Sequence, residues 1–205
     1  MRLTENDVKW YGTEYGGFFV VPKLIKNSSN ALCVGLGEDV SFDIQLIGLH
    51  NIKVLGVDPT KKAKDYISRL SPNNYDFINS ALVSETYEEK TVKMFENNNP
   101  DWVSESLVIS HNAVSNKFYE ADVVKLSSLL EGHNFDIVKM DIEGAEYDIL
   151  DQFNDFKCNH LCIEFHHHCT DYSESDTERC LRRLHDSGFK NILTKNYKEV
   201  TLIRE

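Results

Sequence analysis

Four groups of residues in this sequence have the types and spacing for chemistry. The first is Gly35-Leu36-Gly37-Glu38-Asp39, which follows an apolar run directly. Two glycines at a strand-to-helix turn let the backbone approach a ligand closely, and the free N–H groups at the helix start attract a polar or anionic group. Position 40, where a third glycine would complete a dinucleotide fingerprint, is Val40. The second group is Val57-Asp58-Pro59-Thr60, whose acid lies 21 residues beyond Gly37. That separation suits a carboxylate accepting hydrogen bonds from the hydroxyls of a ribose; the alternative is an N-cap on a helix starting near Pro59. The third is Lys139-Met140-Asp141-Ile142-Glu143-Gly144-Ala145-Glu146-Tyr147. Here a nearly buried strand ends in charges that are costly unless paired or used. A solvated helix start, with its favourable dipole, would account for Glu146 and Glu143 but not for Asp141. The fourth is Ile163-Glu164-Phe165-His166-His167-His168-Cys169, where a strand period of two puts Glu164 and His166 on one face.

These groups need a scaffold that brings them to one edge. From Ala31 onward, short apolar runs at 31–34, 52–57, 76–79, 135–140, 160–165, 189–194 and 199–203 alternate with stretches of helical spacing that start near Asp39, Lys61, Lys125, Ala145 and Ser175. That alternation predicts parallel strands joined by crossover helices. The last two strands are separated only by 195–198 and should form an antiparallel hairpin at the sheet edge. The strand at 76–79 feeds Ala81 and Leu82, which suit the side of an adenine ring or ordinary packing, and 83–95 reads as an excursion of two short strands around Glu88 and Glu89. Before residue 30, Trp10 to Pro22 mixes aromatic residues with glycine ahead of a turn at 27–30, and reads as an N-terminal flap (1–30) on a main domain of 31–205. The polar-aromatic insert after Pro100 is long enough for a lid. It offers Trp102, Ser106, His111 and Asn112 as acceptor contacts, or a hairpin that merely packs on the core.

Composition excludes several classes. The chain has 205 residues and a formal net charge of −11, with acids spread along its length, a field that opposes binding to nucleic acid or anionic membrane. No run approaches the roughly 18–20 apolar residues of a membrane helix, and the first residues lack the apolar core of a signal peptide. The expectation is a soluble cytoplasmic protein with no nucleic-acid or membrane partner. Five cysteines without a CxxC pair predict reduced thiols.

Taken together, Val34 to Asp43, Val57 to Thr60, the Lys139-Met140-Asp141-Ile142-Glu143-Gly144-Ala145-Glu146 block and Ile163 to His166 resemble the FkbM family of S-adenosylmethionine-dependent methyltransferases. The aromatic-glycine segment Trp10 to Gly17 is similar to one branch of that family. The resemblance implies an α/β, Rossmann-like class I methyltransferase fold: seven mostly parallel strands, an antiparallel C-terminal strand, and helices on both faces. It implies S-adenosylmethionine as cofactor, with contacts from Tyr15, Gly16, Gly35, Leu36, Gly37, Asp39, Asp58, Pro59, Thr60, Ala81, Leu82 and Asp141. It also implies O-methylation of a small polar acceptor such as a sugar, a nucleotide sugar or a secondary-metabolite precursor. Aligning the acceptor oxygen and easing its deprotonation call for a base. His166 is the first candidate and Asp141 its rival, with Glu164 on the acceptor side. Asp141, Glu164 and one histidine could hold Mg²⁺ or Mn²⁺, while His167 and His168 also suit surface positions. Lys117, Arg182 or Arg183 could neutralise a phosphorylated acceptor, and the N-terminal segment could pair two chains as a homodimer. Two other functions share these features: a catalytically silent S-adenosylmethionine-binding module, and an NAD-dependent oxidoreductase.

Overall fold

The computed structural model describes residues 3–26, 29–153, 155–196 and 198–204. Two short strands, β1 (Lys9–Tyr11) and β2 (Phe18–Val20), form an antiparallel hairpin. The main sheet is built from β3 (Asn30–Val34), β4 (Lys53–Val57) and β5 (Tyr75–Ile78), with α1 (Ser41–His50) and α2 (Lys61–Leu70) as crossovers. After β6 (Ala81–Val83), β7 (Thr91–Asn97), β8 (Val114–Lys125) and α3 (Leu126–Leu130) come β9 (Phe135–Met140), α4 (Glu146–Gln152), β10 (His160–Glu164), α5 (Glu174–Asp186), β11 (Phe189–Thr194) and β12 (Glu199–Arg204).

The seven-stranded order is β11-β12-β10-β9-β3-β4-β5. Every pairing is parallel except those of β12, which runs antiparallel to both β10 and β11. The hairpin expected at the edge is present, and its second strand is the one that inserts inward. A period of two then divides the core. Leu32, Val34, Val138, Met140, Leu161 and Ile163 face a cluster shared with α3, α4 and α5. Ala31, Cys33, Val54, Ile137 and Cys162 face one shared with α1 and α2. Strands covered on both faces read as unbroken apolar runs, which is why their limits were visible in the sequence.

Helix ends follow local chemistry. Thr60 caps α2 by accepting from the Ala63 N–H at 3.2 Å. Ser173 and Asp176 form a capping box on α5, whose Thr177, Cys180 and Leu184 turn inward. The segment before β3 packs as part of the core: Tyr11, Phe18, Val20 and Ile25 are buried with α1, and the Val21 N–H donates to His160 Nε2 at 3.0 Å. Asn27 and Ser28, in the expected turn, lie outside the described residues, as does Tyr197 of the final hairpin. All five cysteines are free, and among the described residues no helix is long and apolar enough to cross a membrane.

The excursion after Val83 differs from the expectation. The strands flanking Glu88 and Glu89 do not pair with each other; the twelve-residue β8 lies between them, parallel to β6 and antiparallel to β7. β8 carries no apolar run, because most of its side chains stay at least partly exposed.

Candidate functional site

Chain direction creates the site. From β3 the chain winds outward through β4 and β5, then returns so that β9 pairs with the other side of β3. The carboxyl ends of β3 and β9 therefore diverge at a topological switch, where ligands bind in open α/β sheets. A cavity of about 580 Å³ opens there, within the size range of small-molecule and cofactor sites.

The glycine turn forms its floor. Gly35 has φ +78°, and a Cβ on it would stand 1.6 Å from the Asp141 carbonyl oxygen; Gly37 has φ +52°, and its Cβ would press on Val103 at 3.1 Å. Only glycine allows this close approach of β3 to β9. Asp58 locks the turn from below. The N–H groups of Leu36 and Gly37 donate to its Oδ2 at 2.8 and 3.1 Å, and the Thr60 N–H and hydroxyl donate to its Oδ1 at 2.8 and 2.6 Å. Asp58 is 4% exposed and does not cap α2, a role that Thr60 fills. Without any ligand present, Asp58→Ala should cost about 2–4 kcal/mol, since four donors lose a charged acceptor. Urea unfolding checks this, and an unchanged midpoint would remove Asp58 from the support of the turn.

All twelve expected cofactor residues line the cavity: Tyr15, Gly16, Gly35, Leu36, Gly37, Asp39, Asp58, Pro59, Thr60, Ala81, Leu82 and Asp141. Tyr15 and Trp102 form its exposed rim. Thr13 ties the N-terminal segment to Asp39 through its hydroxyl, and Lys62 donates to the carbonyls of Pro100 and Trp102, holding the 100–102 loop over the opening. Of the five acceptor candidates only Trp102 reaches the cavity. Ser106, His111, Asn112 and Glu164 are not among its lining residues: the Ser106 hydroxyl donates to the Glu143 carbonyl at 2.6 Å, His111 Nε2 stands beside the Glu143 carboxylate, and the Asn112 N–H donates to the Cys169 carbonyl at 2.7 Å. The sequence reading passed over Val103, Ser104 and Glu105, which line the cavity. The signal that could have found them is their adjacency to Trp102 in one short loop, anchored where Ser106 bridges Phe95.

Behind the floor lies a charged cluster. Lys139, 3% exposed, donates to the Gly35 carbonyl at 2.6 Å and stands 3.7 Å from Asp141 Oδ2. Burial works against its charge, yet Asp141 and Asp43 hold its pKa above the ordinary value. The three histidines do not converge: β10 ends at Glu164, His167 Nδ1 pairs with the Thr177 hydroxyl at 3.0 Å, and His166 alone turns inward. Its Nδ1 meets Glu146 Oε1 at 3.2 Å, while Nε2 faces Glu143 at 3.4 Å, Asp141 at 3.7 Å and Glu164 at 4.0 Å.

The solvated helix start expected for Glu143 and Glu146 is therefore not what forms. Glu146 is fully buried and accepts from the N–H groups of Gly144 and His166 at 2.9 and 2.8 Å. Glu143, with φ +53°, is turned back to the cavity and meets His111 Nε2 at 3.0 Å. The phase of α4 carried the signal: Glu146 stands three and four residues before the buried Ile149 and Leu150, on the inward face.

Electrostatics follow from this crowding. Burial and the neighbouring Asp141 push the Glu164 carboxyl up to about 8. Burial also raises Asp141, against the pull of Lys139 and His166. For Glu143, burial is outweighed by His111 and His166, which hold it below the carboxylate norm. His166 resists charging through burial, but Glu146, Glu143 and Asp141 together raise it to about 10. The folded cluster thus keeps protons that an unfolded chain releases. The contribution of His166 to stability is full below the ordinary histidine range and is lost as pH climbs through about 10. The cost of ionising Glu164 grows above the ordinary glutamate value and is complete above about 8. Both make stability fall with rising pH, so the thermal midpoint of metal-free protein should drop by several degrees between about pH 6.5 and about pH 9.5. A flat or rising midpoint would contradict the cluster.

The cavity suits S-adenosylmethionine. The glycine floor that a Cβ would fill accepts a close ligand, Leu36, Ala81, Leu82 and Leu107 offer an apolar wall, and the carboxylates complement a sulfonium and an ammonium group. The family model "Methyltransferase FkbM domain" matches residues 11–190. Among solved structures, a fibrillarin/Nop5p complex is 12% identical with a TM-score of 0.49, over 87% of this chain and 73% of that chain. A SAM dependent methyltransferase from Aquifex aeolicus is 12% identical with a TM-score of 0.42, over 89% of this chain and 85% of that one. Among curated proteins none matches the sequence.

Proposed function

We propose, because this chain belongs to the methyltransferase FkbM family, that it transfers the methyl group of S-adenosylmethionine to a hydroxyl of a small, uncharged polar acceptor such as a sugar or a secondary-metabolite precursor. The donor follows from the family; the acceptor class is our reading. The observation that carries it is the charge of the cavity wall, where among the described residues Glu38, Asp39, Asp58, Asp101, Glu105, Asp141 and Glu143 face a single lining cation, Lys139. Such a wall favours a cationic donor and repels phosphate. The basic residues considered for a phosphorylated acceptor stand elsewhere: Arg183 pairs with Asp151 at 3.0 Å, Arg182 with Glu178 at 3.8 Å, and Lys117 is exposed on β8.

When bound, the donor's sulfonium supplies an electrophilic methyl group in line for displacement. Gly35, Gly37 and Asp58 would hold its amino-acid and ribose portions, and Ala81 with Leu82 the adenine. Tyr15 and Trp102 on the rim would limit water at the transfer point. Because its carboxylate neighbours keep a proton on His166, the base role passes in this reading to Asp141, the member of the pair that reaches the cavity. His166 is then a positioning residue behind it.

Isothermal titration with S-adenosylhomocysteine and, separately, with NAD tests the donor. Micromolar binding of the first alone is expected. Transfer to neutral polyols and sugars should exceed transfer to their phosphate esters by at least about tenfold, because like charges in the cavity cost binding energy. Equal rates on the phosphorylated compounds would sink the acceptor reading, and cofactor binding with no transfer to any hydroxyl compound would favour the silent module.

A further inference from the structure

The geometry points to a divalent-cation site formed by Asp141, Glu143 and His166, of the first-row kind that accepts mixed carboxylate and imidazole donors, with Mn²⁺ as its model. One donor atom from each lies within 4.8 Å of the others. This donor set replaces the one expected from the sequence, with Glu143 in the place of Glu164.

His166 Nε2 carries the argument furthest. The side chain is 4% exposed, and among the described residues its hydrogen bonds run through Nδ1 and the backbone, none through Nε2. That nitrogen instead looks at Glu143 Oε2 at 3.4 Å and Asp141 Oδ1 at 3.7 Å. These separations are long for hydrogen bonds. They approach the spacing of roughly 3.0–3.5 Å between neighbouring donors that each stand about 2.1 Å from a common ion.

The surroundings hold each donor from its far side, as outer-shell partners do at metal sites. Glu146 Oε1 holds the proton of His166 on Nδ1 at 3.2 Å and so turns Nε2 toward the two carboxylates, where the ion would take the place of the second ring proton carried by the metal-free protein. The Ala113 N–H donates to His111 Nδ1 at 3.2 Å, which leaves the hydrogen of that ring on Nε2, the nitrogen that stands 3.0 Å from Glu143 Oε2 and 3.2 Å from Cys169 Sγ. Lys139 stands on the Oδ2 side of Asp141, leaving Oδ1 toward His166. Asp141 and Glu143 also line the cavity, so an ion on them would meet an acceptor hydroxyl, orient it and ease the loss of its proton. Only that last use rests on the methyl-transfer reading; the binding of the ion stands on the donor geometry.

The test is a titration of chelator-treated full-length protein with MnCl₂, followed by electron paramagnetic resonance, with MgCl₂ and ZnCl₂ as competitors. One ion per chain is expected, and Glu143→Gln and Asp141→Asn should each weaken it by at least about tenfold, while His185→Gln on the outer face of α5 leaves it unchanged. Should either variant fail to fold by circular dichroism, spin-echo spectra of wild-type protein decide instead: bound Mn²⁺ must show one directly coordinated histidine nitrogen. No stoichiometric Mn²⁺, unchanged affinity in folded Glu143→Gln, or a spectrum without nitrogen coupling overturns the site. A parallel titration with S-adenosylhomocysteine separates the two readings, because cofactor binding without Mn²⁺ binding ends this proposal and leaves the other standing, and the reverse result ends the other.

Discussion

Gly35→Ala should abolish binding of S-adenosylhomocysteine and lower stability by about 3–5 kcal/mol, the range reserved for a forced backbone rearrangement. Two independent effects combine at this residue. Its φ of +78° is a conformation that alanine rarely adopts, and the new Cβ would lie 1.6 Å from the Asp141 carbonyl oxygen. That oxygen belongs to the backbone, so no rotamer change relieves the clash. β3 and β9 must separate at the point where the Asp141 N–H donates to the Val34 carbonyl at 3.0 Å. Gly48→Ala is the matching control: it lies within α1, a Cβ there meets nothing within 4 Å, and the change should be neutral or stabilise by about 0.5–1 kcal/mol. Urea unfolding and calorimetric titration of both variants read the result. A Gly35→Ala protein that is as stable as wild type and still binds the cofactor product would disprove the close approach of the two strands.

Glu146→Ala should be nearly as damaging, at about 3–5 kcal/mol, because it leaves a buried charge without its partner. Glu146 is wholly inaccessible, and its carboxylate serves Gly144, the His166 N–H and the His166 ring together. Removing it strands two N–H donors and an imidazolium. It also frees the ring whose direction sets the distances to Asp141 and Glu143. Glu146→Gln keeps the side-chain volume and one of the two acceptor oxygens, enough for the His166 N–H and ring or for the Gly144 N–H but not for both, and should cost less than Glu146→Ala. A loss below about 1 kcal/mol in Glu146→Ala is what an exposed ion pair would give, and would place Glu146 on the surface, contrary to the structure.

The sequence was legible where a rule of local spacing has only one tertiary solution. Strands buried on both faces must be continuous apolar runs, so β3, β4, β9 and β10 could be read from composition. The glycine turn and Asp58 are tied to strand ends, and placing the strands placed them. β8 was not legible, because a strand with a wet face and neighbours distant in the chain carries no strong period. Asp58 shows a subtler limit: its position at the cavity was readable, but its four hydrogen bonds to Leu36, Gly37 and Thr60 were not.

The sequence by itself determined the alternation of strands and helices, the glycine turn, the acid at the end of β4 and the family resemblance, because each rests on residues close together in the chain or on their periodicity. Tertiary structure alone decided which charges meet. His111, Glu143, Glu146 and His166 come from three separate segments and meet only because β9 and β10 end side by side under the loop that follows β7. Their protonation depends on that meeting, since burial and mutual repulsion, not residue type, set whether a carboxyl or an imidazole keeps its proton.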